Sequence, residues 1–389
     1  MPPESNRSLR LVVLQPTSVC NLNCAYCYVP DRKKSGVMSD AVIKASALYA
    51  FASAPAQKSF KFLWHAGEPL AAGIAFYRRA FAQISDVAPD GHHIVYAIQT
   101  NGTLINRDWC KLFSEYNVDV GLSIDGPASL HDSHRKTWRG RGSHERAMRG
   151  YRLLLEHGIY PGAICVLTKN SLSCPDAIYD FFVESGFTSI AFNVDETEGV
   201  NTNSSLAEAE AAYRFFMQRL WDRWREDDGK LYIREFRQTL NCIGGLKSDP
   251  GFVREPDEVL PMGIITIAKD GSISTFSPEL ASTESERYNN FVIGNVLRDA
   301  PLDVAGSVAF QKINSDVLVG RNNCKDQCAY YSLCGGGFQS NRIAEHESFE
   351  ATETVTCRLH RQILADVIIE KLSGETRQNA SERAMISAG

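Results

Sequence analysis

Three cysteines near the N-terminus are the residues best suited to chemistry in this 389-residue sequence. Cys20, Cys24 and Cys27 follow a short apolar run in the spacing C-x3-C-x2-C. Thiolates at such spacing suit an iron–sulfur cluster, and three ligands leave one iron of a four-iron cluster open to an outside ligand. The alternative is structural zinc, but zinc takes four closed ligands, and no local histidine or fourth cysteine completes the set. The spacing therefore favours iron–sulfur chemistry.

A second group of four cysteines lies in the last third of the chain, at Cys324, Cys328, Cys334 and Cys357. On spacing alone, either zinc or an iron–sulfur cluster would suit these ligands. The chain has 11 cysteines, an odd number, so complete disulfide pairing is impossible. Clustered cysteines in an intracellular chain indicate metal binding or catalysis rather than a disulfide framework. The four scattered cysteines are expected to be small buried hydrophobes; they are Cys110, Cys165, Cys174 and Cys242.

Alternating strand and helix patterns in the first ~230 residues predict βα units on a parallel sheet. The predicted strands are Leu9–Leu14, Ser59–Trp64, Ile94–Ile98, Asp119–Ile124, Ala163–Leu167 and Ser189–Val194. The predicted helices are Asp40–Ser53, Ile74–Ile84, Arg107–Tyr116, Glu145–His157, Asp176–Glu184 and Leu206 to about Arg225. Ser39 is the expected N-cap of the first helix. Six such units are too few for a closed eight-unit barrel, so we expect an α/β fold with an open, partial (β/α)6 barrel.

Polar, glycine-rich motifs follow each predicted strand. They include the first cysteine loop, HAGEP, QTNGT, SIDG and DETEG. In β/α barrels the chemistry is built at the C-terminal ends of the strands, where these motifs would meet. The motifs therefore predict one functional rim.

The chain changes character after about Glu235. Glycines and prolines between Gly244 and Pro261 indicate a linker-like stretch, and Asp270-Gly271 within alternating apolar residues predicts a β-hairpin. The rest is expected to be rich in loops, with a helix near Arg361–Lys371 and a polar tail after Ser373. We therefore expect a barrel domain at 1–235, a second domain at 236–372 and a tail at 373–389.

The composition narrows the possible partners. The chain carries 41 Lys and Arg against 46 Asp and Glu, a net charge of −5, which disfavours nucleic acid because phosphate binding needs a basic face. No apolar run reaches the roughly 18 residues of a membrane span, and the N-terminus lacks an apolar signal-peptide core. The sequence thus indicates a cytoplasmic protein with neither nucleic acid nor membrane as partner.

The first cysteine loop and its neighbours resemble the radical SAM superfamily. The spacing C-x3-C-x2-C with Tyr26 before the last cysteine, HAGEP in place of GGEP, QTNGT and SIDGP all match in order over the first ~200 positions. The resemblance implies that Cys20, Cys24 and Cys27 hold a [4Fe-4S] cluster whose fourth iron binds S-adenosylmethionine (SAM). Electron transfer would then cleave SAM to a 5′-deoxyadenosyl radical.

The resemblance also implies which residues contact SAM. Glu68, with Gly67, would receive its amino group, whereas Ser123 and Arg135 would bind its carboxylate. Tyr26 would lie near the adenine, with Leu167 as an apolar wall. Arg135 as a surface charge and Leu167 as a core residue remain the alternatives. The full set is Tyr26, Ala66, Gly67, Glu68, Asn101, Ser123, Arg135 and Leu167, of which Ala66 replaces the usual first glycine at an expected small cost in backbone freedom.

The second cysteine group resembles the SPASM domain of peptide-modifying radical SAM enzymes. That pattern has further cysteines where this chain has Phe338 and, around the hairpin, approximately Met262 and Ser277. The ligands of one auxiliary cluster are thus absent together, and those of the other remain. The resemblance implies one auxiliary [4Fe-4S] cluster on Cys324, Cys328, Cys334 and Cys357.

Within SPASM enzymes the chain looks most like cyclophane-forming maturases of ribosomally made peptides (RiPPs), on LQPTSVCNLNCAYCY, WHAGEPL and GLSIDGP. This implies abstraction of a side-chain hydrogen from a precursor peptide, a carbon–carbon bond to an aromatic ring, and an electron donor such as flavodoxin or ferredoxin. The alternatives are an anaerobic sulfatase maturase that makes formylglycine, a thioether-forming maturase and, disfavoured by the intact rim motifs, a non-catalytic iron–sulfur protein. The sulfatase maturases carry both auxiliary clusters and an aspartate after the hairpin cysteine, where this chain has Ser277-Pro278-Glu279.

No catalytic base follows from the sequence. Asp195, Glu196 and Glu279 are candidates by position, and each is expected to be a solvated charge at the rim.

Overall fold

One sheet organises the protein. The structure, a computed structural model, describes residues 9–374, and its ten described strands lie in the order β10-β9-β8-β1-β2-β3-β4-β5-β6-β7. The strands are β1 (Leu11–Leu14), β2 (Ser59–Trp64), β3 (His93–Thr100), β4 (Asp119–Ser123), β5 (Gly162–Leu167), β6 (Ser189–Val194), β7 (Tyr232–Ile233), β8 (Ile264–Ile267), β9 (Ser272–Thr275) and β10 (Gly294–Asn295).

The first seven strands form the expected partial barrel. Each neighbouring pair from β1 to β7 is parallel, and the six predicted strands are present with ends shifted by at most two residues. Helices cover the outer face, where aromatic side chains such as Trp64, Tyr77 and Phe81 are fully buried. The parallel order brings all strand C-termini to one edge, as the partial-barrel prediction requires.

Helices follow the strands of the barrel. They are α1 (Asp40–Ser53), α2 (Ile74–Asp86), α3 (Arg107–Glu115), α4 (Ala128–His134), α5 (His144–Glu156), α6 (Pro175–Glu184) and α7 (Glu210–Glu226). Ser39 caps α1 as predicted, its Oγ accepting from the amide of Val42 at 3.3 Å. The short helix α4 lies in a loop that the sequence analysis left unassigned, and it carries the segment that packs on the cysteine loop.

The predicted hairpin is present and joins the barrel sheet. Strands β8 and β9 are antiparallel, with Gly271 in the turn at φ +86°. Strand β8 also pairs in parallel with β1, from Leu11 opposite Ile264 to Leu14 opposite Ile267. This pairing, which the sequence did not predict, covers the backbone groups that β1 would otherwise expose at the edge of the barrel.

Two long helices were not predicted: one includes residues 244–248 at the start of the expected linker, and the other interrupts the part expected to be rich in loops, so the expectations are wrong there. Helix α8 (Arg234–Ser248) crosses the predicted domain boundary and buries Phe236, Thr239 and Cys242. Helix α10 (Val308–Gln327) is the longest described helix of the C-terminal part. In α8, burial of one face outweighs the cost of about 1 kcal/mol per interior glycine at Gly244 and Gly245.

The C-terminal part contains further short helices and a long last one. These are α9 (Pro301–Gly306), α11 (Tyr331–Cys334), α12 (Gln339–His346) and α13 (Val355–Cys357). Helix α13 continues through a π-helical turn (Arg358–Ile363) into helix at 364–374, so the expected helix is present and begins earlier. Most of the expected tail lies outside the described residues. Within residues 9–374, no helix has the length and apolar character needed to cross a membrane.

Candidate functional site

The loop of the first three cysteines lies over the C-terminal ends of the strands, beside an open cavity of about 1070 Å³. Its backbone is tied to the chain after α4, because the indole of Trp138 donates to the carbonyl of Cys20 at 2.8 Å and Asn23 donates to the carbonyl of Lys136 at 2.6 Å. Cys20, Cys24 and Cys27 all line the cavity. The three thiols are therefore held in place before any metal binds.

The thiols fit a cluster of several irons. Burial raises the pKa of Cys20 to about 12 and that of Cys24 to about 11, so both need nearby positive charge to become thiolates. Among residues 9–374, no three His, Cys, Asp or Glu side chains could hold a single metal ion. Three thiols on one loop suit an iron–sulfur cluster with one iron open to an outside ligand.

The HAGEP motif packs directly under the cysteine loop. Gly67 has φ +59°, and a Cβ there would lie 2.7 Å from the carbonyl oxygen of Thr17. Only glycine fits this close approach. Ala66 also has positive φ, at +72°, so the expectation that it costs little backbone freedom is wrong.

Glu68 is not among the residues that line the cavity, and its contact with the SAM amino group stays a prediction. Its buried carboxylate accepts from Leu70 N at 3.0 Å, Thr100 Oγ1 at 2.6 Å and Asn101 N at 2.9 Å. Burial raises its pKa, while these donors favour the ionised form. Glu68 thus links the loops after β2 and β3 through its hydrogen bonds, whereas Ala66 and Gly67 line the cavity.

Arg135 is a buried cavity residue, so the surface-charge alternative is wrong. Its guanidinium makes two bonds to Asp125, at 2.9 and 3.0 Å, and lies 5.4 Å from the ring centroid of Tyr26. The Tyr26 hydroxyl also donates to Asp125. Burial acts to raise the pKa of Asp125, but the guanidinium more than offsets this and holds it below its usual range. The sequence analysis missed Asp125, although it lies within the SIDG motif.

Of the other residues predicted to contact SAM, some line the cavity and one lies in the core, because successive side chains of a strand point to opposite faces. Ser123 and Asn101 line the cavity, Ser123 accepting from Gln99 Nε2 at 2.9 Å. Leu167 does not, because β5 turns it into the core, where it is 0% exposed. Ile164 and Val166 of the same strand face the cavity instead. The core alternative for Leu167 is therefore the right one.

Carboxylates line the side of the cavity formed by the segment after β6 and by the end of the hairpin. Asp195 accepts from Asn201 Nδ2 at 3.0 Å and from Ser205 N at 2.9 Å, so it organises this segment. Glu196, Glu198 and Glu279 approach from the same side. Asp195 is buried and Glu196 and Glu279 are half-buried, so the expectation that these three are solvated charges is wrong. Burial and the neighbouring carboxylates raise the pKa of Glu196 to about 8 and that of Glu198 well above its usual range. Glu198 was missed, although it lies in the DETEG motif.

The second cysteine group lines a smaller cavity of about 370 Å³. Cys324 lies in the last turn of α10, Cys328 is the C-cap of that helix, Cys334 ends α11 and Cys357 ends α13. Arg342 Nη2 lies 3.0 Å from the Cys324 sulfur, a charge-assisted contact that favours a thiolate. Three residues separate Cys324 from Cys328, and with this spacing both thiols line the same cavity. These four thiols would hold the auxiliary cluster.

Comparisons with known proteins agree with this geometry. Residues 14–182 match the model of the radical SAM superfamily. The chain is 41% identical over 368 residues to the uncharacterized protein sll1766 of Synechocystis sp. strain PCC 6803, covering 93% of this chain and 92% of that protein. It is 30% identical over 371 residues to a cysteine-type anaerobic sulfatase-maturating enzyme of Clostridium perfringens strain ATCC 13124, covering 90% and 92%.

A solved structure shares the fold. Native anSMEcpe with bound AdoMet and the Kp18Cys peptide superposes with a TM-score of 0.76, at 24% identity, over 95% of this chain and 99% of that one.

Proposed function

This chain belongs to the radical SAM superfamily, and from that premise we propose that it cross-links a peptide, joining a side-chain β-carbon to an aromatic ring of the same peptide. It is an enzyme that uses a [4Fe-4S] cluster and SAM. The observation that carries the proposal is the first cavity, which is lined both by the three thiols of the cysteine loop and by three glutamates.

A peptide substrate is supported by the peptide bound in the related fold and by the open first cavity. When bound, SAM and the first cluster would supply a 5′-deoxyadenosyl radical, and an iron–sulfur centre would accept one electron. Arg135, held by two hydrogen bonds to Asp125, would bind the carboxylate of SAM, and Ile164 and Val166 would provide an apolar wall. The chain's main task is to hold one C–H bond of the peptide against the radical.

The reaction balances with a carboxylate as the proton acceptor. One C–H hydrogen leaves as an atom, the carbon radical adds to the ring, and the ring then loses one electron and one proton. Glu279 is our candidate for the acceptor of that proton, because it lines the cavity and the Ser277 hydroxyl donates a hydrogen bond to its carboxylate. That bond favours its ionised form, although burial raises its pKa.

Formylglycine formation is the second candidate, because the relative of Clostridium perfringens is a sulfatase-maturating enzyme similar over nearly its whole length. That reaction also begins at a side-chain β-carbon. Against it stands Ser277-Pro278-Glu279 after the hairpin, where the resemblance expects cysteine and aspartate.

The test is anaerobic incubation of the reconstituted enzyme with SAM, a reductant and the small peptide encoded beside its gene, followed by mass spectrometry. Cross-linking predicts the loss of two hydrogens, blocked fragmentation between an aromatic residue and its partner, and no reaction with a hydrazine. Formylglycine predicts a hydrazine-reactive aldehyde with free fragmentation. Cys27→Ala is the control that abolishes 5′-deoxyadenosine, and an unmodified peptide with 5′-deoxyadenosine still forming would overturn the peptide assignment.

A further inference from the structure

A second cavity of about 820 Å³ adjoins the first and shares with it Asn193, Glu196, Glu198 and Glu279. Ser277 and Phe338 also line it, and these are two positions where the SPASM pattern has cysteines. No cysteine lies among its lining residues. The space therefore offers no thiolate for an iron–sulfur cluster and is open to another occupant.

The wall shared by the two cavities carries carboxylates without a cation. In the described part of the chain, no Lys, Arg or His nitrogen lies within ion-pair distance of Glu196, Glu198 or Glu279. Glu198 is 7% exposed, and its Oε1 accepts from Ser340 at 2.5 Å and from Asn341 at 3.3 Å. Several carboxyl groups this close together need either shared protons or an external cation.

His360 provides an independent sign of a missing ligand. It is 6% exposed and lines the second cavity. Its ring lies 5.9 Å from the ring of Tyr213, and neither ring nitrogen hydrogen-bonds to any described residue. Burial and the nearby Arg361 lower the pKa of His360 well below its usual range, so the ring is neutral. A buried polar group facing a cavity without a partner is the arrangement of a binding site.

Among the described residues, the three arginines that line the second cavity, Arg234, Arg254 and Arg361, form no ion pair with the glutamates of the shared wall, although the charge of Arg234 favours the ionised form of Glu196. Arg234 pairs with Glu235 at 2.6 Å. The guanidinium of Arg361 lies 4.8 Å from the ring centroid of Phe338, and Arg361 also lines the auxiliary-cluster cavity. The carboxyl groups without an ion-pair partner thus lie at the wall shared with the first cavity.

We propose that the second cavity binds a cationic side chain of the substrate peptide, an arginine or a lysine near the modified residue, with Glu196 and Glu198 as its carboxylate partners. This deepens the proposed function and rests on it for the peptide. The cation would hold the peptide in register while its neighbour faces the first cavity. Charge and hydrogen bonding together select a guanidinium or ammonium group over a neutral group of the same shape.

Binding of a small probe tests the site without turnover. Isothermal titration of the anaerobic holoenzyme compares N-butylguanidine with N-butylurea, which has nearly the same shape and no charge. We expect the guanidine to bind at least about tenfold more tightly, and Glu196→Gln or Glu198→Gln to remove that preference. The control Glu286→Gln, at an exposed position, should leave it unchanged. Equal binding of both probes, or a preference that survives both glutamine variants, would overturn the proposal.

The peptide separates this proposal from the proposed function. Replacing arginine by citrulline, or lysine by norleucine, should raise KM about tenfold or more in the wild type, and Glu198→Gln should make the enzyme indifferent to the change. If the peptide is cross-linked with the same KM in both forms, the proposed function stands and the cation site fails. If N-butylguanidine binds as expected and no peptide is modified, the cation site stands and the substrate assignment fails. Variants that unfold are replaced by Glu196→Asp or Glu198→Asp, which keep the charge and should keep the preference.

Discussion

Ala66 occupies a backbone conformation that alanine rarely adopts. Its φ of +72° places it in the left-handed region, which costs an L-residue roughly 1–2 kcal/mol. We predict that Ala66→Gly raises the free energy of unfolding by up to about 1 kcal/mol, since relief of strain exceeds the added flexibility of the unfolded chain. Urea unfolding of the two proteins measures the difference.

The matched control for this substitution is Ala47→Gly. Ala47 lies buried in the middle of α1, where glycine costs about 1 kcal/mol. A loss of stability in Ala66→Gly as large as in the control would contradict the role of strain at this position.

Asp125 positions Arg135 and not the peptide. Asp125→Asn leaves a buried guanidinium with a neutral partner, so we predict at least about tenfold weaker SAM binding and a loss of about 3 kcal/mol in stability. Titration of the anaerobic protein with SAM measures the affinity. Asp119→Asn is the control, because Asp119 pairs with Lys61 on the surface and such pairs contribute little. Unchanged SAM affinity in Asp125→Asn would remove Arg135 from the carboxylate site.

At the residue scale, the sequence located the motifs better than the roles of their side chains. The rim motifs brought Arg135, Ser123 and Asn101 to the first cavity as expected. Glu68 and Leu167 are buried and do not line it, since a role inferred from resemblance leaves the direction of a side chain open. For Leu167 the burial alternation along β5 was a usable signal, since residues two apart share a face.

At the scale of elements, three separate helical segments bring the four auxiliary thiols together. We predict about eight irons per reconstituted chain, and that Cys324→Ala lowers this to about four. SAM cleavage at the first site should stay detectable in that variant, because its three thiols lie on a different loop. Iron and sulfide analysis and electron paramagnetic resonance are the measurements.

Cys242→Ala is the control for this loss. Cys242 is buried in α8 and lines neither cysteine cavity, so the iron content should stay at about eight. About four or about twelve irons in the wild type would contradict the assignment of a single auxiliary cluster.

The sequence predicted the barrel elements well and the C-terminal elements poorly. Regular alternation of β-rich runs and amphipathic helices marks the barrel, and α1 begins and ends where expected. The prediction of a linker from Gly244 onward is wrong for the last residues of α8, where burial of one helix face outweighs the cost of Gly244 and Gly245. The pairing of β8 with β1 joins residues about 250 positions apart in sequence, and no local pattern encodes such a contact.

At the scale of the whole molecule, the second cavity adjoins both of the cavities that cysteines line. The first shares glutamates with the second, and the second shares Arg361 with the cavity of the auxiliary thiols. This order places a carboxylate-rich wall between the site of radical formation and the auxiliary site. Because these carboxyl groups have raised pKa values, their titration should contribute to the pH dependence of the protein's stability.

Glu196 links the stability of the molecule to pH. Its folded pKa of about 8 lies above the value of about 4.3 expected in the unfolded chain, so between these values the folded state holds a proton that the unfolded state has lost. Stability must therefore fall as pH rises through this window, by roughly 1 kcal/mol per pH unit for one such proton. Glu198 and Glu279, whose pKa values are also raised, act in the same direction. Asp125 acts in the opposite sense, because its lowered pKa removes stability only at acid pH, below about 4.

We predict that Glu196→Gln has a shallower pH dependence than the wild type, because glutamine carries no proton to lose. Urea midpoints of the anaerobic holoenzyme between about pH 5 and pH 8 should converge at low pH and separate at high pH, with the variant the more stable. Glu286→Gln, exposed to solvent, should follow the wild type throughout. Parallel curves for Glu196→Gln and the wild type would show that Glu196 is ionised in the free protein, paired with a cation that the wall already holds. Addition of N-butylguanidine should flatten the wild-type curve toward that of the variant, because a bound cation stabilises the ionised carboxylates that high pH produces.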